Sequence, residues 1–165
     1  MCQSAKEALA TDNQPLVKSK ERVQKYGEVF TPLRTVRDMC DMLQRENPDC
    51  FLPHTTFLEP ACGEGVFILE ILRRKFANCK TRADYSVAIG SVYGMELQAD
   101  NVRICIEAIK ALCAEYFKPS KADLQTIEDH IILCDSLKVM KLLNQYGERK
   151  EVTYLHDLPN HPDDL

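Results

Sequence analysis

The sequence predicts an α/β domain, a mainly parallel sheet with flanking helices, and three observations carry that expectation. Short β-branched and apolar runs recur along the chain, each followed by a stretch with helical periodicity. The first strand-to-helix junction, residues 59–65, is a turn holding two glycines, as at the opening of a βαβ unit. The ends of three predicted strands each carry an acidic residue: Glu59, Glu96 and Asp135. Such alternation implies right-handed crossovers, a sheet covered on both faces and a ligand site at the strands' carboxyl ends.

In chain order, residues 1–25 read as a polar, loosely packed helical extension. Residues 26–32 (Y-G-E-V-F-T-P) break that pattern, and Pro32 suits the first turn of a helix over residues 33–45, with Val36, Met39, Cys40 and Leu43 at helical spacing. Residues 55–58 (T-T-F-L) predict a buried strand, and residues 66–76, apolar almost all round the first two turns, predict a helix packed on a sheet. Residues 91–97 predict a second strand. The helix after it carries Val102, Cys105, Ile106, Ile109, Leu112, Cys113 and Tyr116 on one face and Arg103, Glu107 and Lys110 on the other. Residues 130–134 predict a third strand, followed by a helical run with Leu137, Met140 and Leu143. Residues 152–155 offer a fourth strand. The domain body is therefore expected over residues 26–156, with an acidic tail at 157–165.

Composition narrows the function classes. At 165 residues, 45% hydrophobic and 28% charged, the chain has the make-up of one ordinary globular domain, and no apolar run approaches the roughly 20 residues a membrane span needs. The first residues lack a basic region followed by an apolar stretch, so no secretory signal is expected and a cytoplasmic location is. Eight cysteines include no C-x-x-C pair and sit among apolar residues, so they read as buried small hydrophobes, neither a metal site nor disulfides. The net charge of -4 is unfavourable for a stand-alone DNA binder. Basic residues nonetheless cluster at Lys18, Lys20, Arg22, Lys25, Arg34 and Arg37, and again at Arg73, Arg74, Lys75, Lys80 and Arg82. Each cluster is either a solvated helix face or a contact for nucleic acid.

An acidic residue after the second strand can accept both hydroxyls of a ribose, and glycines after the first let backbone approach a ligand. Here the chain resembles a family. The segment E-P-A-C-G-E-G-V-F (residues 59–67) is similar to the motif that opens the cofactor site of adenine-specific (N6) DNA methyltransferases of restriction-modification systems. Three further pieces agree in order: G-E-V-F-T-P (27–32), Y-G-M-E-L (93–97) and C-D-S-L (134–137). The resemblance covers the N-terminal S-adenosylmethionine-binding portion of that family. It implies a Rossmann-like class I S-adenosylmethionine-dependent methyltransferase fold with a truncated sheet, and S-adenosylmethionine or S-adenosylhomocysteine as ligand.

Carried over by position, the resemblance implies that Glu28, Thr31 and Pro32 border the methionine end of the cofactor, while Glu59, Ala61, Cys62 and Gly63 line its middle. Glu96 would hold the ribose hydroxyls, Leu97 would lie against the adenine ring, and Asp135, Ser136 and Leu137 would read its amino edge. For each residue the alternative is a helix cap, a turn glycine or a core side chain. A dinucleotide is the lesser alternative ligand: its G-x-G-x-x-G fingerprint requires glycine where Ile68 stands, and an acid only about 20 residues beyond the glycines, well short of Glu96.

Methyl transfer to adenine needs a flipped base held by stacking. The family supplies this with an Asn/Asp/Ser-Pro-Pro-aromatic segment, which these 165 residues do not contain. The nearest stretch is Asp157-Leu158-Pro159-Asn160, where the missing aromatic would forfeit roughly 1 to 3 kcal/mol of stacking. Asp157 is the candidate for a degenerate catalytic role, and a polar tail is its alternative. Two hypotheses follow: a DNA methyltransferase subunit or portion, inactive alone, whose catalytic loop comes from another chain or further sequence, or a non-catalytic module that only holds the cofactor. Expected partners are DNA, by resemblance, and a partner subunit or second copy joined through an exposed sheet edge.

Overall fold

The structure, a computed structural model, describes residues 15–147. The predicted strand at 152–155, the acidic tail and most of the N-terminal extension lie outside the described residues. The elements are α1 (Lys20–Tyr26), α2 (Leu33–Glu46), β1 (Phe57–Glu59), α3 (Val66–Ala77), α4 (Arg82–Gly90), β2 (Val92–Glu96), α5 (Ala99–Tyr116), α6 (Lys121–His130), β3 (Ile131–Leu133) and α7 (Ser136–Gly147). The three strands pair in parallel in the order β1-β2-β3, with Glu59 opposite Gly94 and Glu96 opposite Leu133. This is the Rossmann-like α/β architecture expected: a small parallel sheet with flanking helices.

Because spatial order follows chain order, successive right-handed crossovers land on the same side of the sheet. Ile68 and Leu72 of α3, Ile89 of α4, Ile109 of α5 and Ile127 of α6 accordingly converge over Val92 and Ile131. On the opposite face Leu58 is 40% exposed and Tyr93 half-buried, its ring stacked on His130 with centroids 4.1 Å apart, while Met95 is buried at 1% exposure. Cys40, Cys50, Cys62, Cys105 and Cys113 are buried, as read from their neighbours, and all seven described cysteines are free. No helix among the described residues is long and apolar enough to cross a membrane.

Two helices, α4 and α6, are absent from the periodicity reading. Each begins with a capping box, Thr81 with Asp84 and Ser120 with Asp123, in which hydroxyl and carboxylate satisfy each other's backbone amides. The S/T-x-x-D spacing was the legible signal. Asp123 also joins the two helices, accepting from Ser86 Oγ at 2.6 Å and from Arg82. Burial opposes its charge, but these donors and Ser120 hold its carboxyl well below the usual range.

The second basic cluster is not a uniform solvated face. Arg74 pairs with Glu70 at 2.8 Å and Asp41 at 2.7 Å. Lys75 is fully buried, its Nζ donating to the carbonyls of Leu52 (2.8 Å), Pro53 (3.2 Å) and Thr55 (2.5 Å) and lying 5.4 Å from the Phe57 ring centre. This ammonium ties down the chain entering β1. Replacing it by Lys75→Met orphans those carbonyls and is expected to cost about 2 kcal/mol of stability. Burial also holds the pKa of Lys75 down to about 8, against 10.5 ordinarily. Between those values the unfolded chain binds more protons than the folded one, so unfolding free energy rises with pH across that window. Urea titrations at both ends of the window should find this rise in the parent and lose its Lys75 share in Lys75→Met.

Candidate functional site

A crevice of about 400 Å³ opens at the carboxyl ends of the three strands. Four segments far apart in sequence build it. The strap before α2 contributes Glu28 and Thr31, the turn after β1 contributes Ala61, Cys62 and Gly63, the end of β2 contributes Glu96 and Leu97, and the start of α7 contributes Asp135, Ser136 and Leu137. Ten of the twelve predicted cofactor residues therefore stand on one wall system. Pro32 and Glu59 do not line it. Pro32 caps the start of α2, and Glu59, at the end of β1, accepts from the Ala61 amide at 3.2 Å while burial raises its carboxyl. Asp157 lies outside the described residues.

Glu96 is the organising side chain. One carboxylate oxygen accepts from the Gly63 amide at 2.9 Å and the other from the Gln98 amide at 2.8 Å, so it clamps the turn after β1 to the start of α5. Gly63 has φ +54 and meets the Phe30 ring across the crevice. Gly65 serves packing: its φ is +91, and a Cβ there would stand 2.6 Å from Cys105 Sγ on α5. The second glycine is thus required by helix contact, where the sequence reading gave it to ligand approach. The Cys105 thiol beside it, together with burial, pushes the Cys62 thiol far above its ordinary range. Asp135 accepts from the amides of Leu137 (3.1 Å) and Lys138 (3.3 Å), so it also caps α7. Leu97 and Leu137 are exposed, at 50% and 74%.

A polar network at the rim escaped the motif reading. Arg22 donates to both oxygens of Glu28, at 2.5 and 2.6 Å, and to both of Asp100, at 2.8 and 3.1 Å. Lys18 pairs with Glu64 at 2.7 Å and Asp100 at 3.0 Å. Asn101, buried at 1% exposure, donates to Glu28 at 2.7 Å. Arg22 in this way holds the Glu28 carboxyl below its usual range against the opposing effect of burial. Two cations of the first basic cluster therefore serve the fold's own carboxylates. No single residue spacing announces a network whose partners lie some eighty positions apart.

A parallel sheet with a crevice at its carboxyl ends and an acid at the end of β2 is the arrangement by which Rossmann-like folds, class I methyltransferases among them, take up nucleoside ligands. Over 95 residues, 58% of this chain, the sequence is 28% identical to the Type II methyltransferase M.VspI of Vibrio sp. (strain 343). The matched region is 19% of that protein, so the chain spans about a fifth of its relative's length. No family model matches the chain, and no solved structure does.

The turn geometry carries its own test. Gly65→Ala is expected to destabilise by about 1 to 3 kcal/mol from backbone strain alone, with the Cys105 clash added. In a Cys105→Ala background the clash is relieved but the strain remains, so thermal unfolding should recover only in part.

Proposed function

We propose that the crevice is an S-adenosylmethionine site and that the chain is the cofactor-binding portion of an adenine-N6 DNA methyltransferase of a restriction-modification system. The observation that carries this reading is the convergence on one crevice of residues from all four motif segments, 27–32, 59–67, 93–97 and 134–137. The methyltransferase relative supports the same reading.

The residues present fit the group. The crevice volume falls within the range of small-molecule sites. Glu96 offers two acceptor oxygens for ribose hydroxyls, Leu97 an apolar side chain for the adenine, and Asp135 with Ser136 polar groups for its amino edge. Glu28 and Thr31 border the methionine end, with Ala61, Cys62 and Gly63 between. Pro32 and Glu59 act from behind, shaping the strap and the turn. Among the described lining residues Glu28, Glu64, Glu96 and Asp135 are acidic and none is Lys or Arg, which suits a sulfonium and disfavours the pyrophosphate of a dinucleotide. The cofactor supplies the methyl group as an electrophile.

DNA and a partner carrying the catalytic loop complete the proposal. Among the described residues β1 pairs with β2 alone, which leaves an edge for a partner or a second copy. The domain body, residues 26–156, is proposed as the cofactor-holding unit.

Calorimetry with S-adenosylmethionine and S-adenosylhomocysteine tests the site. The parent is expected to bind, and Glu96→Ala to bind at least about tenfold more weakly, the loss of charge-assisted hydrogen bonds. Asp135→Ala should weaken binding less. No heat from the parent with either form at about 1 mM, or undiminished binding by folded Glu96→Ala, would sink the assignment. Tritiated cofactor with unmethylated DNA separates the classes. Label on DNA requires the added loop-bearing partner in the methyltransferase reading, and stays absent under all conditions for a module that only binds.

A further inference from the structure

Asn101 stands where the strap meets the end of β2. Its Nδ2 donates to Glu28 Oε1 at 2.7 Å and reaches Glu96 Oε1 at 3.4 Å, while its Oδ1 accepts from Lys18 Nζ at 2.6 Å. One neutral amide, 1% exposed, thus bridges two carboxylates that would otherwise face each other and anchors a strap cation as well. The strap is closed on itself by the bond from the Phe30 amide to the Leu16 carbonyl, 2.7 Å, and the Phe30 ring rests on Gly63. No other described side chain bonds to both Glu28 and Glu96.

We propose that Asn101 is a positioning residue that latches the strap, residues 15–32, onto Glu96, so that closure of the crevice and presentation of the Glu96 carboxylate are set together. Its hydrogen-bond partners are Lys18 and Glu28 from the strap and Glu96 from β2; Arg22 in turn bonds Glu28, and Glu64 and Asp100 pair with Lys18. The latch is a property of the ligand-free chain. Its effect on affinity rests on the S-adenosylmethionine reading.

Asn101→Asp keeps the shape, removes both donors and sets a third carboxylate against Glu28 and Glu96. In the ligand-free protein, hydrogen exchange at the Phe30 amide should accelerate by about tenfold or more, with exchange at Ile109 in the core of the same α5 unchanged. S-adenosylmethionine affinity should fall by about the same factor. A purely structural asparagine would lower protection at Phe30 and Ile109 together. A folded Asn101→Asp with parental exchange at Phe30 overturns the proposal. Should Asn101→Asp fail to fold, Asn101→Ala removes the same donors without adding charge; faster exchange at Phe30 supports the latch and parental exchange overturns it. If the parent binds no S-adenosylmethionine, the cofactor reading falls alone, because exchange in the ligand-free chain still decides the latch.

Discussion

The bond from the Gly63 amide to the Glu96 carboxylate, 2.9 Å long, joins positions 33 residues apart and sets most of the geometry at the carboxyl end of the sheet. It can form because β1 and β2 are parallel neighbours in a register that places Glu59 beside Gly94, so the turn leaving β1 passes the end of β2. The same carboxylate takes the Gln98 amide and fixes where α5 starts. From α5, Cys105 meets Gly65 and sets how closely α3 can approach. One acidic side chain therefore references two helices and a turn to one point.

Around that point the charge balance is local. Four carboxylates of the rim, Glu28, Glu64, Glu96 and Asp100, are held by two cations, the Asn101 side-chain amide and the backbone amides of Gly63 and Gln98. Part of the basic charge of residues 17–37 is neutralised within the fold, where Lys18 and Arg22 pair with its own carboxylates. Lys75 shows the same principle in the core: carbonyl oxygens, with no acid among its hydrogen-bond partners, take its three bonds. Counting charges along a sequence measures neither effect, because burial and partner identity decide what each charge does.

The strands, the glycine turn and the acids at strand ends were legible because each is a local pattern: a β-branched run, a breaker, a carboxylate just beyond. The helices α4 and α6 were not, since Arg82–Gly90 and Lys121–His130 are short and lack a strong apolar stripe; their capping residues carried the information instead. Glu59 illustrates the limit of position within a motif. It occupies the expected place in sequence, yet its carboxylate turns back to the Ala61 amide. Asn101 was invisible for a different reason: a single asparagine at the start of a helix reads as an ordinary first-turn residue until its partners from the strap are brought beside it.

Cys62 sits in the wall of the crevice with its sulfur against that of Cys105. A thiol so strongly held in its protonated form is a poor nucleophile at neutral pH. The sulfur facing the crevice is thereby kept out of its reactive thiolate form.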